Sequence, residues 1–158
     1  MHQMRLATVS DAAAIAELFL AARAHSIETI PPVVGNYDRA FPWLESRIKK
    51  GDPCWVMQDS IGLSALMLLE PGWIDQLYVR PDVIGQGLGT RLLDKAKETM
   101  PSGLRLWTFQ SNVRAQNFYE QRGFVAVEWT DGSGNEEREP DVRYVWSGVG
   151  DCVDTSVL

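Results

Sequence analysis

The sequence predicts a mixed α/β domain, and three observations support that prediction. Near the N-terminus, apolar residues recur at helical spacing, with Ala14, Ile15, Leu18 and Phe19 on one face. In the middle of the chain, three apolar segments follow one another across short turns, as antiparallel strands do. Strands and helices alternate after that point, as in crossover connections. The predicted order of elements is β-α-α-β-β-β-α-β-α-β-β.

Local signals define the N-terminal elements. The segment RLATVSD predicts a short strand that leads into a helix. Ser10 or Asp11 can cap this helix, because a short side-chain oxygen accepts from the N–H groups of the first turn. The segment IPPVVG predicts a loop, since two prolines and a glycine break the helical pattern. A second helix is predicted from about Arg39 to Lys50, and it ends before Gly51.

The remaining elements follow from apolar runs separated by turn residues. CWVMQ and GLSALMLLE predict two strands joined by a DSIG hairpin turn, and WIDQLYV predicts a third strand that Pro81 ends. A helix is predicted from Leu88 to about Met100, followed by a strand in LRLWTF. A short helix from Asn112 to Gln121 comes next. GFVAVEW and VRYVW predict two late strands, joined by the polar loop TDGSGNEEREPD.

Length and composition indicate one globular domain over residues 1–158, with 147–158 expected to form a C-terminal tail. Hydrophobic residues make up 45% and charged residues 23%, which is typical of a folded water-soluble domain. No apolar run has membrane-spanning length, and MHQMRLATVSD lacks the features of a signal peptide. Cys54 and Cys152 are the only cysteines, so we expect a reducing, cytoplasmic setting without a structural disulfide.

The charge balance argues against some classes of partner. The formal net charge is -6, and phosphate neutralisation needs clustered Lys and Arg, so DNA and RNA are not expected partners. The acidic balance chiefly favours solubility, and it is compatible with a cationic amine substrate. His2 and His25 are the only histidines, and no Cys/His cluster has metal-ligand spacing, so no metal site is predicted.

Three glycines in VIGQGLGTRLL precede a predicted helix. The first N–H groups of a helix lack intrahelical partners, the helix dipole adds positive charge there, and glycine lets the backbone approach an anion. A nucleotide P-loop is not indicated, because Thr90-Arg91 follows the last glycine instead of Lys-Ser or Lys-Thr. The dinucleotide fingerprint has a different glycine spacing and lies early in a βαβ unit. A glycine-rich turn without a ligand remains an alternative.

Two neighbouring segments extend this motif: LYVRPDV before the glycines and NVRAQNFYEQRGF after them. In this combination the chain resembles the GNAT superfamily of acyl-coenzyme A-dependent N-acyltransferases. The resemblance covers most of the chain and is strongest from Trp73 to Phe124. The family's phosphate motif, Arg/Gln-x-x-Gly-x-Gly/Ala, falls on Ile84 to Gly89. Both glycines match, but Ile84 replaces the Arg or Gln. In the family that position contributes largely through its backbone, so we expect the pyrophosphate site to survive, although a side-chain contact there would be lost.

The resemblance implies a GNAT-like fold: a central mixed, mostly antiparallel sheet flanked by helices, with a splayed strand pair at the coenzyme site. It also implies acetyl-coenzyme A as acyl donor. The strand end before the glycines would pair with the pantetheine arm, and the glycine turn would hold the pyrophosphate. Asn112 and Tyr119, later in the chain, would also contact the coenzyme. The implied coenzyme-binding residues are Leu77, Tyr78, Val79, Ile84, Gly85, Gln86, Gly87, Leu88, Gly89, Thr90, Asn112 and Tyr119.

The resemblance also implies a direct acyl transfer, in which Tyr119 protonates the departing thiolate. A phenol suits this step because its ordinary pKa, about 10, lies near or above that of a thiol, about 8.5. The Val79 N–H would hold the oxyanion. Many family members have a Glu that acts as the general base at the position of Trp73, and tryptophan cannot take a proton. We therefore expect Asp75, two residues on and on the same strand face, to be the base.

Alternatives stay open for these roles. Tyr119 could be a core residue beside Phe118, and Asp75 could be a polar residue bonded within the sheet. Glu28, Glu70 or a chain of water molecules could serve as the base instead. Candidates for the acceptor site are Tyr37, Trp43, Trp73, His25 and Glu28, together with the loop 131–141, which carries five acidic residues and one Arg.

The expected activity is therefore acetyl transfer from acetyl-coenzyme A to a primary amine of a small molecule or peptide. The alternative is a non-catalytic module that binds or senses acyl-coenzyme A, and a nucleotide-phosphate-binding domain is a more remote third possibility. A homodimer is also expected, formed through the apolar late strand VRYVW.

Overall fold

The computed structural model describes residues 1–26 and 37–149 of the chain. The element order agrees with the predicted one. The segment IPPVVG, Glu28 and Cys152 lie outside the described residues. The strands are β1 (Gln3–Leu6), β2 (Cys54–Gln58), β3 (Leu63–Glu70), β4 (Trp73–Val79), β5 (Leu104–Phe109), β6 (Val125–Trp129) and β7 (Asp141–Trp146). The helices are α1 (Ala12–His25), α2 (Tyr37–Lys50), α3 (Leu88–Thr99) and α4 (Val113–Glu120), and short 3-10 turns occupy Val9–Asp11 and Pro81–Val83.

The seven strands form one sheet in the order β1-β2-β3-β4-β5-β7-β6. All neighbouring strands are antiparallel except β4 and β5, which are parallel and pair only at Trp73 and Arg105. The Arg105 N–H donates to the Gly72 carbonyl at 2.9 Å at this point. Beyond it the two strands separate. The predicted fold class is therefore confirmed, including the splayed strand pair.

Helices cover the sheet on both faces, and each face has its own apolar cluster. Helices α1 and α2 pack Ile15, Phe19 and Leu44 against one face of β2 and β3. On the other face, α3 and α4 pack against a larger cluster that extends across β3, β5 and β7. Alternate residues of β3 therefore belong to different clusters, Leu66 to the first and Met67 to the second. This explains why LSALMLLE is apolar on both faces, as a central strand requires.

Strand β7 does not lie at the edge of the sheet, which corrects one sequence-based expectation. It pairs with β5 on one side and with β6 on the other, so its backbone groups are already used. The expectation that VRYVW pairs with a second copy of the chain is therefore wrong. The edge strand on this side of the sheet is β6, where Val125, Val127 and Trp129 are exposed. Homodimerisation itself stays a prediction.

Candidate active site

Two cavities open where β4 and β5 separate. The first, about 400 Å³, lies between the end of β4, the glycine segment, the start of α3, and α4. The second, about 710 Å³, lies between β4, β5 and the loop 131–141. The two cavities share five lining residues, which are Leu77, Tyr78, Asn112, Ala115 and Tyr119. A ligand in the first cavity and another in the second would therefore meet at these residues.

The register of β3 and β4 determines which backbone groups of β4 face the gap. The Arg80 N–H donates to the Ser64 carbonyl at 2.8 Å, so these residues form a hydrogen-bonded pair. Hydrogen-bonded and non-hydrogen-bonded pairs alternate along an antiparallel ladder. Val79 and Leu77, which lie opposite Ala65 and Met67, therefore belong to non-hydrogen-bonded pairs. Their N–H and C=O groups point away from β3, toward the space that β5 has left.

The glycine segment forms an open cradle at the start of α3. Gly85 and Gly87 have φ angles of 90° and 84°, in the left-handed region that only glycine adopts at little cost. A Cβ added at either position would meet no protein atom within 4 Å, so the space above the backbone is empty. Gly87 is the N-cap of α3, and no side chain caps this helix. The first N–H groups of α3 are therefore available to an anion.

The third glycine, Gly89, is required by side-chain packing and not by a left-handed backbone conformation. Gly89 lies within α3, and a Cβ there would come 3.3 Å from Cζ of Phe118. This distance is tighter than ordinary van der Waals contact, so glycine at this position lets the α4 ring approach α3. The spacing of the three glycines thus combines two backbone requirements in the cradle with one packing requirement behind it.

The structure brings the predicted coenzyme-binding residues together around the first cavity, with one exception. Eleven of the twelve line it, from Leu77, Tyr78 and Val79 through the glycine segment to Asn112 and Tyr119. Gln86 does not. Its Oε1 lies 3.2 Å from Nε2 of His2, and its N–H donates to the Val83 carbonyl at 3.3 Å. Gln86 therefore shapes the turn and contributes neither its side chain nor its N–H to the cradle.

Asn112 has a structural contact as well as a place in both cavities. It is the N-cap of α4, and its Oδ1 accepts from the Ala115 N–H at 3.2 Å. A side-chain oxygen that satisfies a first-turn N–H stabilises the helix start. The cap also fixes the side chain, so the amide NH₂ is held at the border of the two cavities.

Tyr119 lies at the junction of the two cavities. The residue is 8% exposed, and its ring packs edge-on against Phe118 and Phe124, with centroids 5.1 and 5.5 Å away. Burial raises the pKa of Tyr119 above its ordinary value, and neighbouring Tyr78 adds to the shift. Among the described residues, none forms a hydrogen bond with the phenol hydroxyl. Tyr119 therefore belongs to the core and also lines both cavities, and its role as an acid stays a prediction.

Asp75 lies in a bulge of β4. Leu68 pairs with Gln76 and Leu69 with Ile74, so Asp75 has no partner of its own on β3. A bulge re-aims the side chains beside it. The Asp75 carboxylate lines the second cavity, and its Oδ2 accepts from Nη1 of Arg47 at 3.1 Å. Asp75 is therefore held by a helix residue, and within residues 1–26 and 37–149 its side chain makes no hydrogen bond to another strand.

The other candidates for base and acceptor contacts lie elsewhere. Glu70 accepts from Nη2 of Arg47 at 2.9 Å and lines neither cavity. Four of the acceptor candidates line neither cavity: Tyr37, Trp43, Trp73 and His25. Tyr37 stacks on Phe41, and His25 is exposed. Trp43 and Trp73 each lie beneath an arginine, Arg47 and Arg105 respectively. Glu28 lies outside the described residues. The loop 131–141 does reach the second cavity, which Glu137 and Asp141 line together with Glu128 from β6.

Cys54, the one cysteine among the described residues, lines neither cavity. Cys54 is buried under α1 and α2, and burial raises the pKa of its thiol to about 12. A buried thiol with a raised pKa is a poor nucleophile. Within residues 1–26 and 37–149, no three His, Cys, Asp or Glu side chains are grouped as metal ligands. In the same ranges, no helix is long and apolar enough to cross a bilayer.

Sequence reasoning missed three arginines, of which Arg23 and Arg122 line a cavity and Arg47 holds Asp75 from outside the lining. Arg23 is buried in the second cavity, where Nη1 donates to the Tyr78 hydroxyl at 3.3 Å. Arg47 holds Asp75 from α2, and Arg122 lines the first cavity from the end of α4. Nothing in the sequence pattern marks the first two, because their contacts lie far away along the chain. Arg122 stands within the segment FYEQRGF, so its closeness to the coenzyme residues was a usable signal.

The splayed strand pair, with its free backbone edge beside an uncapped glycine-rich helix start, is the arrangement expected from the resemblance to acyl-coenzyme A-dependent acyltransferases. The family model described as Acetyltransferase (GNAT) family matches residues 20–124. The chain belongs to this family, and it is an N-acetyltransferase with acetyl-coenzyme A as acyl donor. The expected superfamily, enzyme class and donor are confirmed at this level.

Known proteins similar to this chain include an uncharacterized N-acetyltransferase of Archaeoglobus fulgidus. It is 33% identical over 116 residues, which cover 65% of this chain and 76% of the relative. The peptidyl-lysine N-acetyltransferase YiaC of Escherichia coli is 28% identical over 132 residues, covering 81% of this chain and 88% of YiaC. The solved structure of yncA from Salmonella typhimurium with its cofactor acetyl-CoA has a TM-score of 0.67 and 21% identity. That match covers 92% of each chain, and it bears on the fold alone.

Proposed function

We propose that this enzyme transfers an acetyl group from acetyl-coenzyme A to a lysine side chain of a peptide, by direct attack within a ternary complex. The observation that carries the proposal is the position of Tyr119, which lines both cavities where they meet. A group there can touch a donor in the first cavity and an acceptor in the second. A small-molecule primary amine is the other acceptor class that this geometry allows.

The residues of the first cavity fit the chemistry of the donor. The empty space above Gly85 and Gly87 and the uncapped start of α3 suit a pyrophosphate, since helix N-termini bind anions through free N–H groups. The outward-facing backbone groups of Leu77 and Val79 suit an amide-containing arm, which can pair with them as an added strand would. The thioester end of such a donor would then lie toward Tyr119.

In the proposed reaction, each bond change and each proton transfer involves a defined group. A neutral amine nitrogen attacks the thioester carbonyl, and the new C–N bond forms as the carbonyl oxygen takes up negative charge. The N–H of Val79, which points into the gap, donates to this oxygen. Asp75 has already taken one proton from the ammonium form, and the proton that the nitrogen loses on becoming an amide returns to Tyr119 after the next step. The C–S bond then breaks, and Tyr119 gives its phenol proton to the departing sulfur.

Burial keeps Tyr119 in its protonated form, and it also makes the phenol a weaker acid than it is in water. Because burial raises the pKa of the phenol, Tyr119 stays protonated throughout the neutral and mildly alkaline range. The same burial disfavours a free thiolate beside it, so the leaving sulfur also has a raised affinity for the proton. The hydroxyl has no hydrogen-bond acceptor among the described residues, which leaves its proton available to the sulfur.

The acceptor is proposed from the carboxylates of the second cavity and from the relatives. Asp75, Glu128, Glu137 and Asp141 line this cavity, and carboxylates attract a protonated amine as it approaches. YiaC, which matches 81% of this chain, is named a peptidyl-lysine N-acetyltransferase.

An amine panel tests the proposal through release of free coenzyme A thiol. The panel contains a peptide with one lysine and a blocked N-terminus, the same peptide with Nε-acetyl-lysine, an unblocked peptide without lysine, a polyamine and an aminoglycoside. We expect the lysine peptide to give the highest kcat/KM and the acetylated peptide to give none. Initial-velocity lines should intersect, because both substrates bind before transfer. Tight acetyl-coenzyme A binding without amine-dependent thiol release would instead favour a binding module.

A further inference from the structure

The Arg122 guanidinium is fixed beside the phosphate cradle by three hydrogen bonds. Its Nε and Nη2 donate to Oγ1 of Thr90 at 3.2 and 2.9 Å, and Nη1 donates to the Phe118 carbonyl at 2.9 Å. Its Cζ also lies 4.0 Å from the centroid of the Phe118 ring. This ring can lie so close to α3 because Gly89 has no Cβ. Arg122 is therefore held in one place before any ligand binds.

Arg122 retains donors for a ligand. A guanidinium has five N–H groups, and three are used by Thr90 and Phe118. One N–H on Nη1 and one on Nη2 remain, and the residue lines the same cavity as the cradle. A fixed guanidinium with two spare N–H groups matches the bidentate geometry of a phosphate.

The contacts also set the direction of the Thr90 hydroxyl. A hydroxyl oxygen has two lone pairs, and Arg122 donates to this oxygen twice. The Thr90 proton must therefore point away from Arg122, and within the described parts of the chain no hydrogen bond takes it up. Thr90 lies in the first turn of α3, on the same wall of the cavity as the free N–H groups. The hydroxyl thus adds one more donor to the cradle.

We infer that Arg122 and Thr90 together form a side-chain half of the pyrophosphate site and supply the side-chain donors that Ile84 does not. Ile84 lines the same cavity with an apolar side chain, at the motif position where an Arg or Gln is expected. Arg122 provides a charged donor from the end of α4, and Thr90 provides a neutral donor beside it. Arg114 lines the cavity as well but is exposed and so less desolvated than the anchored Arg122. This inference rests on the proposed binding of acetyl-coenzyme A in the first cavity.

Calorimetric titration with acetyl-coenzyme A tests the assignment in four variants. Arg122→Met removes the charge and keeps a long side chain over Phe118, so affinity should fall about tenfold or more. Thr90→Val keeps the shape and should lower affinity several-fold. Arg91→Met is the matched control, since Arg91 is the next residue of α3 but donates to the His2 carbonyl and lines neither cavity. Its affinity should stay within about threefold of wild type.

The fourth variant separates phosphate binding from a purely structural tie between α3 and α4. Adding Ile84→Arg to Arg122→Met restores a cation at the motif position without restoring the contacts to Thr90 and Phe118. We expect affinity for acetyl-coenzyme A to return to within about threefold of wild type. Loss of affinity without this rescue would overturn the inference, as would an unchanged affinity in Arg122→Met. If Arg122→Met does not fold, an unchanged affinity in Thr90→Val overturns it.

The same titrations distinguish this inference from the function on which it rests. A wild-type chain that binds no acetyl-coenzyme A would contradict the proposed function itself. A wild-type chain that binds the donor, with variants that bind it equally well, would contradict only the role of Arg122 and Thr90. Affinity of the wild type should also weaken as salt is raised, and it should weaken less in Arg122→Met, because one charge pair is missing.

Discussion

Arg47 and Asp75 stand 28 positions apart in the chain, yet Nη1 of Arg47 lies 3.1 Å from Oδ2 of Asp75. The same guanidinium binds Glu70 and Asp52 and lies over the ring of Trp43. Arg47 thus connects α2 to the bulge of β4 and holds the Asp75 carboxylate at the edge of the second cavity. The carboxylate keeps Oδ1 without a hydrogen bond from any described residue, so it can meet an approaching amine.

If Asp75 is the base, Asp75→Asn should lower kcat by about 10²–10⁴-fold and leave donor affinity unchanged. The amide keeps the size of the side chain but cannot take a proton, so water must accept it. The dependence of kcat on pH should therefore shift in the variant. Steady-state rates from pH 6 to pH 10, with titration of acetyl-coenzyme A, measure both effects.

Glu70→Gln is the matched control for this variant. Glu70 also accepts from Arg47, but it lines neither cavity. We expect its pH profile to follow that of the wild type. Equal effects in the two variants would mean that Asp75 acts only through the Arg47 cluster and is not the base.

The cradle gives a prediction for the donor. Gly87→Glu places a side chain and a negative charge in the empty space at the start of α3, so affinity for acetyl-coenzyme A should fall at least a hundredfold, as roughly expected for like charges in a partly buried site. Calorimetry on the folded variant measures the loss. Gly51→Glu is the control, because Gly51 also has a positive φ and open space but lies after α2. Unchanged affinity in Gly87→Glu would remove the pyrophosphate assignment.

A separate prediction concerns stability and pH. Arg5 donates from Nη1 and Nη2 to the two carboxylate oxygens of Asp11 at 2.8 and 2.9 Å, and Thr8 N–H donates to Oδ2. The Arg5 hydrogen bonds, with smaller help from Thr8, lower the pKa of Asp11 to about 2. A lowered folded-state pKa stabilises the protein above the unfolded value, near 4, and this stabilisation is lost as pH falls toward 2.

Asp11→Asn should accordingly lower the free energy of unfolding by about 1 kcal/mol at pH 7, a value reduced for the partly exposed Arg5. The difference from wild type should shrink below pH 4. Urea unfolding at pH 7, 4 and 3 measures it, with Glu17→Gln, an exposed residue of α1, as control. A difference that stays constant across this range would show that the ion pair does not stabilise the fold.

Much of the fold was predictable because its signals are local. The start of α3 at Leu88 follows from the glycines and from apolar spacing, and the structure has it there. Strand β5 matches LRLWTF in full. The interior place of β7 was not predictable in the same way, because strand order depends on which strands meet in the folded sheet. Its apolar sequence fits a covered strand as well as an edge strand.

The residues of the site were likewise predictable where their signals are local in the sequence, and not where their contacts join distant segments. The coenzyme residues follow from contiguous motifs, and eleven of the twelve line one cavity. Gln86 is the exception because its partner, His2, lies 84 positions away. The bulge at Asp75 depends on pairing with β3, and the contacts of Arg47 depend on how α2 packs. No pattern within a short window encodes such contacts between distant segments.

Tyr119→Phe tests the central claim most directly, that the phenol between the two cavities protonates the leaving sulfur. The variant keeps the ring and its packing against Phe118 and Phe124, so donor affinity and folding should change little. The measurement is the single-turnover rate of thiol release from acetyl-coenzyme A with a saturating lysine peptide. We predict a fall of about 10²–10⁴-fold relative to wild type. A variant that releases thiol at the wild-type single-turnover rate would contradict the acid role of Tyr119 and the mechanism built on it.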